Sequence, residues 1–230
     1  MPFTFLKRAC IATLAVLATA AHAADDKLLA AARAAQPAVI DSLRDMVLIE
    51  SGSQDAAGLK RMADYVEGRL RALGARTERL PADAGPGEMV KGVFTGSGKR
   101  DFMLIAHMDT VYAKGILASD PFRQDGNRLY GPGIADDKGG VAVILHSLAL
   151  LQELGWRDYA QITVLFNPDE EIGSRGSGEL IATLADAHDV VLSYEPTGAK
   201  AVAQEEGVLL GAAGTGTATL EVRGRGAHAG

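Results

Sequence analysis

The 230-residue chain sets 23 Lys and Arg against 29 Asp and Glu, a formal net charge of −6. It lacks the basic stripe through which proteins gain affinity by displacing counterions from a phosphate backbone, so nucleic acid is excluded as a partner. A single cysteine, Cys10, excludes an internal disulfide framework, and a chain of this length must rely on one good hydrophobic core with room for the start of a second.

The first predicted element is a leader. Lys7 and Arg8 precede an uncharged run of 12 residues, Ala9 to Ala20, closed by Ala21, His22 and Ala23. That is the layout of a secretory signal peptide, and the run is too short for a membrane-spanning helix, which takes about 20 apolar residues. Cleavage after Ala23 removes Cys10 and two positive charges but no acid, moving the net charge from −6 to −8. The expected location is periplasmic or secreted, with no membrane association after signal removal.

From Asp26 to Glu50, Val39, Ile40, Leu43, Met46 and Val47 recur at helical spacing, with a break or start expected near Pro37. Leu59, Met62, Val66, Leu70 and Leu73 form a second helical stripe that Gly74 closes. Short strands follow around Met89 to Thr95 and Asp101 to Ala106, separated by the turn Gly96-Ser97-Gly98. A loop rich in Gly and Pro leads to a helix that Asp137 starts, with Val141, Ile144, Leu145, Leu148 and Leu151 on one face. Ile162 to Phe166 is a short apolar strand stopped by Pro168; a helix from about Gly178 to Ala187 and a strand from Val190 to Tyr194 complete the series. Strands and helices alternate, which predicts an α/β fold with a mixed, mostly parallel sheet flanked by helices and a site in the loops at the strands' carboxyl ends. In the last segment Ala218, Leu220 and Val222 alternate with polar residues, the pattern of a half-exposed strand and a change of domain.

The predicted strand ends collect the chemistry. His107 and Asp109 follow one strand, Glu170 and Glu171 another, and Glu195 a third, while Asp136 stands at a helix entrance after a glycine-rich loop. Strand ends distant in sequence become neighbours in a sheet, and carboxylates with a neutral imidazole suit zinc or, less selectively, manganese or cobalt. Taken singly, each acid reads as an ordinary solvated loop residue; the joint placement is what points to a site. His107 and Asp109, two apart on an extended segment, face the same side, so the carboxylate could orient the ring. Adjacent Glu170 and Glu171 repel when both are ionised and buried, and a cation relieves that; one would bind metal while the other takes a proton from water.

Four stretches carry a family resemblance: His107-Met108-Asp109-Thr110-Val111-Tyr112, Gly131-Pro132-Gly133-Ile134-Ala135-Asp136-Asp137-Lys138-Gly139-Gly140, Asp169-Glu170-Glu171 and Ser193-Tyr194-Glu195-Pro196-Thr197. In order and spacing the chain resembles the two-zinc aminoacylase and carboxypeptidase family, and within it the glutamate carboxypeptidase (carboxypeptidase G) branch. The resemblance implies two Zn2+ ions, with His107 and Glu195 on one, Glu171 on the other, and Asp136 bridging. It also implies Glu170 as general base, Asp109 holding His107, and a cis bond between Asp136 and Asp137. Residues 24–213 would then be a catalytic zinc-binding domain and 214–230 the opening of a lid and dimerisation domain. There His228 would help stabilise the oxyanion, although Ala227 stands where the family usually has Ser. The second metal is left a ligand short, which the family fills with a histidine far downstream, so the chain is expected to be part of a longer, homodimeric parent.

The function so implied is release of a C-terminal amino acid, glutamate first, from a peptide or N-acyl conjugate by water attack with Glu170 shuttling the proton. Within the class the alternatives are an N-acyl amino acid deacylase, a desuccinylase or a dipeptidase. Outside it, the chain would be an inactive remnant or a binding module that keeps one metal at most.

Overall fold

The computed structural model describes residues 26–83 and 85–196, with 209, 210, 220, 221, 223 and 224. The predicted signal peptide, the expected domain change at 213/214, His228 and most of the alternating strand before it lie outside the described residues. Among the described residues no helix is long and apolar enough to cross a membrane.

Residues 26–47 are helical (α1) and run straight through Pro37, so the expected break is absent. Proline in a helix interior forfeits one backbone hydrogen bond. Here Pro37 is exposed, and the turns beyond it are anchored by Val39, Leu43, Met46 and Val47 in or against the core. That packing sustains the helix where propensity alone argues for a stop. Helix α2 (Ala56–Ala72) buries Leu59, Met62, Val66 and Leu70, and Gly74 follows with φ of 81°, the left-handed conformation that glycine adopts at a helix end.

Strands β1 (Arg76–Pro81), β2 (Glu88–Thr95) and β3 (Asp101–His107) come next, then a two-stranded hairpin of β4 (Arg123–Asp125) and β5 (Arg128–Tyr130). Helix α3 (Lys138–Glu153), β6 (Gln161–Asn167), α4 (Gly178–Asp186) and β7 (Val190–Ser193) complete the unit. The sheet order is β1-β2-β6-β3-β7. β3 runs parallel to both β6 and β7, β2 is antiparallel to β6, and β1 is antiparallel to β2; all strands but β2 therefore point the same way, the mixed, mostly parallel sheet expected.

Alternation along the strands divides the core in two. Val90, Phe94, Leu104, Ala106, Ile162, Val164 and Phe166 face α2 and α3, packing with Met62, Val66, Leu70, Val141, Ile144 and Leu145. Met89, Met103 and Leu165 point to the other side, where Leu180, Ile181 and Leu184 of α4 cover them. Strand β1 went unrecognised in the sequence because it is an edge strand made mostly of polar residues. Arg79 on it pairs with Glu67 and Asp64 of α2 at 2.9 Å, and charged edges of this kind resist pairing with other chains.

Parallel register fixes where the site must be. His107 at the end of β3 is level with Asn167 at the end of β6, and Ile105 is level with Ser193 of β7. The loops leaving β3, β6 and β7 thus emerge side by side.

Candidate metal centre

His107, the last residue of β3, is wholly buried. Its backbone N–H donates to Asp137 Oδ2 at 3.1 Å. Nδ1 lies 3.0 Å from the Asp109 carbonyl oxygen and 3.2 Å from Asp109 Oδ1, which aims Nε2 outward. Around Nε2 stand Asp136 Oδ1 at 2.9 Å, Glu195 Oε2 at 3.7 Å and Glu170 Oε2 at 3.9 Å. Residues from three separate loops converge on one imidazole nitrogen.

Asp109 is also completely buried, and it ties three segments together. Its carboxylate accepts the Ser53 hydroxyl at 2.7 Å and the backbone N–H groups of Glu170 and Glu171 at 3.1 and 3.2 Å. The same side chain that faces the His107 ring therefore fixes the turn carrying both glutamates. The Ser53 segment is itself laced to the Asp109 loop, since Ser53 N–H donates to Thr110 O and Thr110 N–H to Ser51 O. Ser53 was not foreseen; Ser51-Gly52-Ser53 reads in sequence as an ordinary turn, and only tertiary pairing brings it to Asp109.

Asp136 and Asp137 are joined by a cis peptide bond, as the resemblance implied. Asp137 caps α3 by accepting Gly140 N–H at 3.2 Å while holding the His107 N–H. Gly140 is required there, because a Cβ would strike Asp137 Oδ1 and the Tyr194 carbonyl oxygen; the close approach seats the helix start against the segment that presents Glu195. Lys138 is buried, with Nζ donating to Ile49 O at 3.0 Å and Pro132 O at 3.3 Å. It clamps the glycine-rich loop to the chain before Ser53. After β6, Asp169 is buried and accepts Gly176 N–H, Ser177 N–H and the Ser177 hydroxyl, which closes the loop bearing Glu170 and Glu171.

Donor atoms fall into two groups, each within 4.8 Å: His107 with Asp136 and Glu171, and His107 with Asp137 and Glu195. Unlike Asp109 and Asp137, the side chains of Asp136, Glu170 and Glu195 keep 53%, 45% and 41% of their surface exposed. Among the described residues, His107 is the one cationic side chain within ion-pair distance of those three.

The electrostatics follow. Burial works against charging His107, but hydrogen bonds to Asp109 and Glu195, with the Asp137 charge, overcome it and push its pKa up to about 11. Burial raises Asp137 to about 8. Glu170 and Glu171 are held above the usual carboxylate range, first by burial and then by neighbouring acids, Glu195 and Asp109 for Glu170 and Asp136 for Glu171. A negative field of this density, built from carboxylate oxygens and one imidazole, fits a divalent cation of the zinc, manganese or cobalt type. The remaining described histidines are engaged elsewhere. His146 faces Ser42 Oγ at 2.8 Å, and His188 faces Thr163 Oγ1 at 2.8 Å.

Comparison with known proteins gives a family and several relatives. Peptidase family M20/M25/M40 matches residues 103–227. Carboxypeptidase G2 of Pseudomonas sp. (strain RS-16) is 47% identical over 96% of this chain and 53% of its own length. Succinyl-diaminopimelate desuccinylase of Rhodospirillum centenum is 31% identical over 84% of this chain and 51% of its own. In fold, human carnosine dipeptidase 1 matches with a TM-score of 0.61 and 21% identity over 73% of this chain and 40% of that one. The chain spans about half the length of the relatives it matches.

Proposed function

The chain belongs to peptidase family M20/M25/M40, and on that premise we propose that its site serves a two-zinc exopeptidase that releases a C-terminal amino acid, glutamate first, from a peptide or N-acyl conjugate. One observation carries the reading: Asp136, Glu170 and Glu195 meet at His107 Nε2 where β3, β6 and β7 end together. His107 and Glu195 would hold one metal and Glu171 the other, with Asp136 shared by both. Zinc, when bound, supplies polarisation of the scissile carbonyl and lowers the pKa of the attacking water.

The chain's own residues supply the rest. Asp109 keeps the His107 ring oriented and sets the Glu170-Glu171 turn. Glu170, half-exposed and with its carboxyl already raised in pKa, accepts the proton of the attacking water. As the carbon–nitrogen bond breaks, it returns that proton to the leaving amine. Residues 24–213 are read as the catalytic domain and 214–230 as the opening of a lid and dimerisation domain, with His228 toward the oxyanion. Export to the periplasm or beyond and a homodimeric parent complete the proposal.

The likeness to a desuccinylase favours one second reading, hydrolysis of N-succinyl or N-acetyl amino acids by the same machinery. Zinc analysis of the full-length protein, with hydrolysis of N-acyl amino acids varied at both ends, tests both. Two zinc ions per chain are expected, with a loss of about 10²- to 10⁴-fold in kcat for Glu170→Gln while zinc is retained. Full activity in Glu170→Gln, or a chain that takes up no zinc, overturns the mechanism. Activity confined to N-acetyl or N-succinyl substrates replaces the carboxypeptidase reading by the second one.

A further inference from the structure

The metal centre occupies the edge of the sheet where β3, β6 and β7 end. At the opposite edge, Thr95 at the end of β2 and Asp101 at the start of β3 both pair with Gln161 at the start of β6. The seven residues of β6 set the two edges roughly 20 Å apart. Here the turn between β2 and β3 meets the loop between α3 and β6, and Trp156 stands 38% exposed.

Two cavities flank that indole. One, of about 370 Å³, has Leu73, Phe94, Tyr159 and Arg157 in its walls with Trp156. The other, of about 510 Å³, has Phe102, Lys99, Arg100 and Asp158 with Trp156. The buried Tyr159 ring backs the indole, with 5.5 Å between centroids.

Hydrogen bonds hold the walls in place. The N–H groups of Gly96, Ser97 and Gly98 donate to the carbonyl oxygens of Ala160, Arg157 and Tyr159 at 3.0, 2.9 and 2.9 Å, and Ala160 N–H donates to Arg100 O at 2.8 Å. Arg157 Nη2 adds a bond to Thr95 O at 2.8 Å. Gly96 and Gly98 allow this approach, since a Cβ on either would strike the backbone of Asp158 or Tyr159. The cleft is built before anything enters it, which spares a ligand the cost of ordering it.

Charge and shape select the occupant. Lys99, Arg100 and Arg157 line the two cavities with a single acid, Asp158, in a chain whose formal net charge is −6. Among the described residues none of these three cations is within ion-pair distance of a carboxylate. They stand in concave walls on either side of an aromatic ring, where a flat bilayer surface would not reach them. An extended chain can enter, laying an apolar side chain on the indole and a carboxylate toward each group of cations.

We propose that this cleft docks an acidic, extended peptide segment of a partner protein. The segment places an aromatic or bulky apolar side chain on Trp156 and carboxylates against Lys99, Arg100 and Arg157. This role is separate from hydrolysis at the metal centre.

The probe is a fluorescein-labelled peptide, Glu-Glu-Phe-Glu-Glu, capped at both ends so that no terminal residue is offered for release. Titrated with the full-length protein and read by anisotropy, it should bind at least about tenfold more tightly than Gln-Gln-Phe-Gln-Gln and more tightly than Glu-Glu-Ala-Glu-Glu. Its affinity should weaken as salt is raised. Reversing two charges, Lys99→Glu with Arg100→Glu, and removing the ring, Trp156→Ala, should each cost at least about tenfold. Lys99 and Arg100 are exposed, so their reversal leaves the fold intact and decides the matter if Trp156→Ala fails to fold. Equal binding of the acidic and uncharged peptides, no binding, or binding indifferent to the charge reversal overturns the proposal. Capture of phosphatidylglycerol vesicles instead of the peptide, abolished by the same reversal, assigns the cleft to a lipid surface and overturns it as well.

Discussion

Asp109, Asp137 and Asp169 are at most 1% exposed, whereas Asp136, Glu170 and Glu195, at the same edge of the sheet, keep roughly half of their side chains in solvent. The buried three spend their oxygens on the chain itself. Between them they accept the N–H groups of His107, Gly140, Glu170, Glu171, Gly176 and Ser177 and the hydroxyls of Ser53 and Ser177. The exposed three converge on a single imidazole. Buried carboxylates satisfied by backbone donors define shape, and exposed ones left to repel each other define an appetite for cations. Acids of both kinds lie within a few residues of one another, so side-chain type alone does not separate scaffold from site.

Substitutions break this contrast from either side. The largest effect on stability should come from Asp169→Ala, which strands two N–H groups and a hydroxyl in the loop after β6. A loss of about 1–3 kcal/mol for each buried donor left unsatisfied is the scale, read by denaturant unfolding, and Asp169→Asn should recover part of it. Asp109→Asn keeps the shape but weakens the grip on the His107 ring and the glutamate turn; zinc affinity should fall about 10- to 100-fold in a calorimetric titration. An unchanged affinity would move Asp109 out of the site's support.

A third measurement uses pH. With its pKa raised from 6.5 to about 11 in the metal-free chain, His107 must give up a proton before its Nε2 can bind metal. Zinc affinity should therefore tighten with rising pH, about tenfold per unit near neutrality, with close to one proton released per ion at that histidine. The smallest effect separates the two classes of acid most cleanly. The Glu171 carboxyl is raised in pKa, so above its unfolded pKa the fold penalises its charged form. Neutral Glu171→Gln should stabilise the metal-free chain, by less than about 1 kcal/mol because solvent screens the group, and should lower zinc stoichiometry. Destabilisation would place Glu171 among the scaffold acids.

Much of this arrangement was legible in the residues. Apolar runs followed by His107, by Glu170 and by Glu195 announced three strand ends, and Asp137 before a helical stripe announced a cap that the Gly140 N–H bears out. What stayed hidden depends on tertiary partners. Ser53 and Asp169 acquire meaning only once Asp109 and Ser177 are folded against them. The β1 strand hides its pairing behind charges that α2 neutralises. Lys138 reads as a solvated charge at a helix start, yet its stem is buried and its ammonium serves two carbonyls. Helix α1 passes through Pro37 because packing on one side of the proline outweighs a local preference on the other.

The strand order has a consequence for folding as well as for binding. His107 and Glu195 lie about ninety residues apart in the chain and become neighbours only when β7 has added to β3 at the sheet's edge. The stretches that follow β3, β6 and β7 each carry only part of the donor set, so an ion does not seed the sheet. It finds its ligands after the topology is in place and then resists losing it. Zinc should accordingly slow the unfolding of this domain and leave its folding rate unchanged, acting as a latch on a door already shut.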